Sequence, residues 1–448
     1  MQSIEDRFGA VLPKAVAIAV LTGLMLWPLS RVESLVSERQ VLQHEAYGAI
    51  SAGFGGSQIV GSPVVSLDTQ QRKLVTDSVS RASTEVWSAG PALHLLSDDV
   101  HIETEVTVEV RSKGIYAIPV YVSKVIIDGK FKPESIARLL ANSEDTRTLP
   151  ARAVFQLPIS GVKYLHSLSR FEVGGQALHA ASGEVAGMSA LSAPVDLASV
   201  DLAGGIPFHL EFELAGSDSL HFLPLAANTE VTAHVAWPHP DFDGAFLPVS
   251  HQINDKEYTA TWRVLELNRA FPQIWRGSSI DASISASAFG VRLFQPSDVY
   301  TQNYRAIRYG ILFVAITFTC FFAWEHVVRG LRLHPMQYLL VGLGLSTFYL
   351  LLLALSEHLG FAVSYAVAAT ALVALITTYI AGATDNRRAT AVIGAALATS
   401  YAVLYVILLS QDDALLFGSL LLFAILAALM LSTRRLNWAK VGRAESGQ

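Results

Sequence analysis

Two patterns of hydrophobic and polar positions divide this chain. Long uncharged or nearly uncharged apolar runs occupy Phe8–Leu29, Ile307–Trp324, Met336–Ser356, Phe361–Ala383, Ala389–Ser410 and Ala414–Ser432. Each is about 18 to 23 residues long, and at about 1.5 Å per residue such a helix crosses the roughly 30 Å hydrocarbon core of a bilayer. The chain therefore reads as six transmembrane helices, one ahead of a long polar region and five in close succession behind it. The short connections among the last five make consecutive helices antiparallel neighbours.

Between the runs, Arg31–Arg305 is an ordinary water-soluble sequence. It opens with a helical pattern to about Ile50, carried by Val32, Leu35, Val36, Val41 and Leu42, which continues the first helix beyond the bilayer. It then turns to period two. Thr104–Val110 sets Val106, Val108 and Val110 on one face, Tyr116–Ile127 is rich in Val, Ile and Tyr, and Gly114 between them predicts a hairpin turn. Further strands are expected at Val154–Leu157, Phe208–Leu214, Ser219–Leu223, Thr229–Trp237, Tyr258–Val264 and Ile280–Leu293, with one short helix over Pro133–Asn142. Ser, Gly, Asp and Pro separate these segments, as in Gly204–Pro207 and Gly216–Ser219, which predicts a β-sandwich or a pair of them.

Several stretches carry a family resemblance. RLHPMQYLLVGL from Arg332 followed by FYLLLLALSEH, WPHPDFDGAFLP over Trp237–Pro248, RSKGIY over Arg111–Tyr116 and YRAIRYGILFVAITF over Tyr304–Phe318 closely resemble the CreD family of bacterial inner-membrane proteins, also called Cet for a colicin-tolerance phenotype. In the region before about residue 100 the chain departs from the family pattern QxLxGP, since Ser62 is interposed in Gln58-Ile59-Val60-Gly61-Ser62-Pro63. The resemblance implies an envelope-integrity protein whose expression follows a two-component system responding to envelope or cell-wall stress. It implies no molecular activity, because none is established for the family.

Charge sets the expected orientation. Arg329 and Arg332, Arg387 and Arg388, and Arg434, Arg435, Lys440 and Arg443 follow alternate spans, whereas the other connections hold Glu357 and His358 or Asp412 and Asp413. The positive-inside rule makes the first set cytoplasmic. Both termini then face the cytoplasm and residues 31–305 face the periplasm, although Arg305 and Arg308 run against the rule. The expected architecture is an α+β membrane protein: an anchor over residues 1–30, a β-rich, sandwich-like periplasmic domain over 31–305, a helix bundle over 306–433 and a cytoplasmic tail over 434–448. The rival reading of Phe8–Leu29 as a secretory signal is disfavoured because no small-x-small cleavage pattern follows Trp27-Pro28-Leu29-Ser30.

Composition adds exclusions. Of 448 residues 52% are hydrophobic and 16% charged, below the roughly 25% charged of a soluble domain. The net charge of −6, with Lys and Arg scattered through the polar region, argues against nucleic acid as a partner. The single cysteine, Cys320, lies in an apolar run, so the polar region is held by its core without a disulfide. Small residues four apart, Gly342 with Ser346, Gly394 with Ala398 and Ala424 with Ala428, permit close approach of helix backbones.

Candidate chemistry is sparse. Glu357 and His358 end the third span, where they suit a headgroup, a proton or a substrate, or are simply interfacial residues in water. Glu325 and His326 stand across a short loop from His334 and Gln337 in the same way, and Lys14 is expected to snorkel to an interface. Arg305 and Arg308 border the second span and are candidates to share a site with Glu357 and His358. Trp237 and His239 with Asp241 and Asp243 offer ligand-like types close together, against a plainer reading in which a strand ends at two prolines, Trp237 enters the core and the acids bond turn amides. Tyr304, Tyr309, Trp324, Tyr338, Tyr365 and Trp438 read as interface anchors. GxSxG, GxxxxGK[ST] and HExxH are absent, so no catalytic residue, metal or cofactor is expected. The expected partners are the lipid bilayer and a periplasmic protein, glycan or lipid precursor, with a lipid or cell-wall precursor transporter or modifying enzyme as the alternative.

Overall fold

The computed structural model describes residues 11–76, 83–143, 145–198, 200, 202–293, 299–327, 334–383, 387–410 and 416–420, with single positions 423, 427 and 430. The chain divides into two compact units, a helical one formed by Met1–His44 with Ser297–Gln448 and a β-rich one formed by Glu45–Pro296.

In the helical unit, α1 (Val11–Leu24) and α2 (Leu26–Phe54) are interrupted at Met25. Pro28 explains the break, since it has no N–H to offer the carbonyl one turn earlier. Four further long helices follow the same logic of length and apolarity among the described residues: α5 (Val299–Val327), α6 (Pro335–Leu359), α7 (Phe361–Ala383) and α8 (Arg387–Leu409). Among the described residues five helical segments are long and apolar enough to cross a membrane: Lys14–Phe54, Val299–Phe322, Pro335–Leu359, Phe361–Gly382 and Thr390–Leu409. The sixth expected span, Ala414–Ser432, lies largely outside the described residues, as do Arg329, Arg332, Asp412, Asp413 and the basic tail from Arg434.

Small residues set the helix contacts. A Cβ on Gly342 would lie 2.7 Å from Met25 Sδ and 2.8 Å from Phe318 Cζ, so the expected close approach exists and its partners are α1–α2 and α5. One turn on, Ser346 Oγ lies 3.9 Å from Met25 Sδ. Gly394 of α8 meets Thr377 of α7, whose Oγ1 would be 2.9 Å from an added Cβ. Two tyrosines read as interface anchors are instead core residues: Tyr338 is 1% exposed and Tyr365 4%. Each finds a partner for its hydroxyl inside the bundle, and Tyr365 Oη donates to the Tyr401 carbonyl at 2.7 Å.

The β unit contains β1 (Gln58–Gly61), β2 (Val64–Thr76), β3 (Ser83–Ala89), β4 (Leu93–Lys113), β5 (Tyr116–Phe131), β6 (Thr146–Pro158), β7 (Leu165–Val173), β8 (Gln176–Ala177), β9 (Ala181–Val185) and β10 (Met188–Val195). After them come β11 (Ile206–Ser217), β12 (Ser219–Leu223), β13 (Ala226–Val235), β14 (Pro240–Gly244), β15 (Ser250–Ile253), β16 (Tyr258–Leu265), β17 (Ile274–Arg276) and β18 (Phe289–Leu293). Two short helices, α3 (Pro133–Leu140) and α4 (Asp281–Ala286), interrupt them. A large sheet of 14 strands runs β8-β7-β11-β5-β4-β2-β6-β10-β9, with β13, β16, β15, β17 and β3 off this path, and a sheet of 4 strands has the order β1-β12-β18-β14. One core holds residues of both: Ile102, Val125, Phe155, Phe208 and Trp262 from the large sheet and Phe222, Phe289 and Val291 from the small one. The sandwich-like expectation is met by two very unequal sheets.

The β4–β5 hairpin pairs Lys113 with Tyr116, leaving Gly114 and Ile115 as its two-residue loop, and Gly114 has the positive φ of 63° that such a loop requires. Val106 is buried at 3%, whereas Val110 toward the loop is 55% exposed, so only the inner part of this strand face joins the core. The expected strand over Ile280–Leu293 is corrected to helix α4 followed by β18; Ser and Ala dominate its first half and supply too little apolar area to hold a central strand. Strands β1–β3 and β7–β10 were not expected, because several pair at polar or edge positions where alternation is weak. Helix α3 is capped from outside its own sequence: Asp98 Oδ2 accepts from Lys132 N at 2.6 Å and Oδ1 from Ser135 Oγ at 2.7 Å.

Candidate functional site

The end of α6 places Glu357, one of the residues that the sequence singled out there, among partners it did not reveal. Glu357 Oε1 accepts a hydrogen bond from Tyr300 Oη at 3.1 Å and forms an ion pair with Arg39 Nε at 3.4 Å. Beside them, Asn303 Nδ2 donates to Ser356 Oγ at 2.9 Å. Tyr300 and Asn303 lie one turn apart on α5 and share the face that meets α6. The Glu357 side chain is 10% exposed and Arg39 44%, so α2, α5 and α6 are joined by an ion pair shielded on its acidic side. Asn303 is 1% exposed, and its Oδ1 accepts no hydrogen bond from the described residues.

His358 does not join this cluster. Adjacent helical residues point about 100° apart, and His358 is exposed while Glu357 turns inward. Arg305 falls on the side of α5 away from Tyr300 and Asn303 and Arg308 on its flank, at about 100° per residue, with Arg305 half-buried and Arg308 exposed. Arg308 Nη2 donates to Tyr304 Oη at 2.9 Å, and its guanidinium stands 4.8 Å from that ring's centroid.

The other end of α6 has a matching arrangement. Lys14 Nζ of α1 pairs with Glu325 Oε1 of α5, and Tyr338 Oη of α6 donates to Glu325 Oε2 at 3.4 Å. Lys14, expected to snorkel to an interface, meets a largely shielded carboxylate whose side chain is 9% exposed. Tyr338 and Glu357 are 19 residues apart on one helix, about 28 Å along its axis, close to one hydrocarbon core. The helical unit therefore carries an ion pair near each end, and both involve the α1–α2 segment. His334 and Gln337 have a local task. His334 Nδ1 accepts from Met336 N at 3.2 Å and Gln337 Oε1 from His334 N at 2.8 Å, a reciprocal cap of α6. The His326 side chain lies outside the described residues.

In the β unit the segment from Trp237 to Pro248 follows the plainer reading in part, since β13 ends at Val235 ahead of Pro238 and Pro240. Trp237 packs partly buried against the core and His239 is exposed. Asp241 and Asp243 lie in β14 and bond side chains, not turn amides: Asp243 Oδ1 is 2.7 Å from His221 Nε2, Asp243 Oδ2 accepts from Arg292 Nη2 at 3.0 Å, and Asp241 Oδ2 is 3.9 Å from Arg292 Nη1. His221 and Asp243 both pair in register with Gly290 of β18, which separates them. A Cβ on Gly290 would lie 2.2 Å from the Leu220 carbonyl, so glycine is required there, and its bare surface lets the imidazole reach the carboxylate across the middle strand. Among the described residues no group of three His, Cys, Asp or Glu side chains is arranged to hold a metal ion.

A second polar cluster was invisible in the sequence. Ser66 Oγ lies 2.8 Å from His94 Nδ1 and donates to Gln156 Oε1, while the His94 ring stacks on Trp275 at 4.7 Å. Burial lowers the His94 pKa to about 4. With its proton engaged by Gln156 and a neighbour that is a weak base, Ser66 is a structural tie between β2, β4 and β6, not an activated nucleophile.

Apolar helices that carry ion pairs near both ends of the bundle, with a large curled β unit inserted between the first span and the rest, define a multi-span membrane protein of the α+β class. The comparisons specify it further. The family model described as "Inner membrane protein CreD" matches residues 10–439, and the chain belongs to that family. It is similar to the "Inner membrane protein CreD" of Escherichia coli (strain K12), at 29% identity over 441 residues that cover 97% of this chain and 93% of that protein.

Proposed function

We propose that this CreD-family protein supports cell-envelope integrity under stress, including tolerance to colicins, by non-catalytic binding through its β unit. In this reading residues 31–305 face the periplasm, both termini face the cytoplasm, and the helices anchor the assembly. The partner is a periplasmic protein, a glycan or a lipid precursor.

One observation carries the proposal: a folded β unit, Glu45–Pro296, is tied at both chain ends to membrane-spanning helices. Such tethering restricts a binding surface to the layer next to the bilayer and raises its effective concentration there. The charge bias supports the orientation, since exposed Arg387 and Arg388 open α8 while Glu357 and His358 close α6.

The test is complementation of an envelope-stress-sensitive deletion strain with the β unit carried on its own first helix and an unrelated return span. Rescue supports the proposal. Failure of a stable, correctly inserted protein moves the function to the helix bundle.

A further inference from the structure

We propose that the outer face of the first turns of α5, formed by Arg305, Arg308 and Tyr304, binds the phosphate of an anionic membrane phospholipid. Arg305 and Arg308 are three residues apart on a helix and therefore neighbours on one face. At about 100° per residue Arg305 points away from Asn303, Arg308 lies on the flank, and Tyr304, one turn after Tyr300, borders the face that Tyr300 and Asn303 turn toward α6 through their bonds to Glu357 and Ser356. Arg308 is exposed and Arg305 half-buried.

Three features favour a phosphate there. Neither guanidinium forms an ion pair with a carboxylate among the described residues. Tyr304 holds the Arg308 guanidinium by a 2.9 Å hydrogen bond and by its ring face at 4.8 Å, which orders the planar fork and leaves its other donors for a bidentate acceptor. Depth is the third. Arg308 and Glu325 are 17 residues apart on α5, about 25 Å, so with Glu325 near one boundary the side chain of Arg308 reaches the headgroup level at the other. Phosphates line both faces of a bilayer, so the inference holds for either orientation of the chain. Basic side chains at this level attract anionic lipid, and two of them together correspond to a preference of roughly tenfold or more.

The test is native mass spectrometry of the full chain, released from nanodiscs and titrated with phosphatidylglycerol or with zwitterionic phosphatidylcholine. The expected result is preferential retention of phosphatidylglycerol, lowered about tenfold in Arg305→Gln/Arg308→Gln with phosphatidylcholine retention unchanged. Equal retention of phosphatidylglycerol by the double variant would overturn the proposal. Displacement of the lipid by millimolar inorganic phosphate would also overturn it, by pointing to a site for the free anion. If the double variant does not fold, Arg308→Gln alone decides, since its side chain is exposed: a several-fold loss supports the site and no change rejects it.

Discussion

Arg39 and Glu357 meet at 3.4 Å although 318 positions separate them in sequence, and this pair fixes α2 against the last turn of α6. Its counterpart, Lys14 with Glu325, fixes α1 against α5. The first helical segment is thus an integral member of the helical unit, held near both ends. Glu357→Gln should lower unfolding stability in detergent by about 1–2 kcal/mol, a figure reduced from that of a fully buried pair because Arg39 is partly in water. The charge reversal Arg39→Glu/Glu357→Arg should recover part of the loss. Absence of any recovery would show that the pair contributes nothing beyond its separate side chains.

Gly342 gives a sharper test of the same packing. With Met25 and Phe318 under 3 Å from an added Cβ, Gly342→Leu should displace the first helix and cost about 3 kcal/mol or more. Disulfide trapping reads this directly, because Met25 and Ser346 are in contact. Met25→Cys/Ser346→Cys should crosslink in the native background and lose most of that crosslink when Gly342→Leu is added.

His94 predicts a pH dependence in the β unit. Its folded pKa of about 4 lies below the ordinary value of 6.5, because burial disfavours the imidazolium. Between those values the unfolded chain binds more protons than the folded one, so stability falls as pH drops from about 6.5 to about 4 and is complete above 6.5. The loss is of order 1–3 kcal/mol for this half-buried ring. His94→Phe, which keeps the stack on Trp275, should flatten that part of the stability-versus-pH curve measured by denaturant unfolding at a series of pH values. A slope unchanged in the variant would assign it to other groups.

Gly290 predicts the cost of filling the middle of the small sheet. Gly290→Ala would press a methyl group against the Leu220 carbonyl at 2.2 Å and His221 Cα at 2.7 Å, both backbone atoms that cannot move aside alone. A loss of about 2–3 kcal/mol is expected, with early hydrogen exchange at β12 and β18. If exchange there stays as slow as in the native protein, the close approach is not a constraint.

The sequence by itself determined which of the described segments are long and apolar enough to cross a membrane and which alternate. Those properties are local: about twenty uncharged residues satisfy their own backbone as a helix, and period two survives in Phe208–Leu214 whatever lies opposite. It also marked Glu357, Lys14 and the Gly342–Ser346 spacing as special, because each breaks the pattern around it. Partners were decided only by tertiary structure. Nothing in spacing joins Arg39 to Glu357, His94 to Ser66, or His221 to Asp243 across Gly290, since each contact closes a long loop whose geometry depends on every strand and helix between. For the same reason Tyr338 and Tyr365 read as interface anchors from their place near span ends, yet are buried. Burial is a property of what packs against a side chain, and only the folded neighbours Glu325 and Tyr401 decide where those hydroxyls are satisfied.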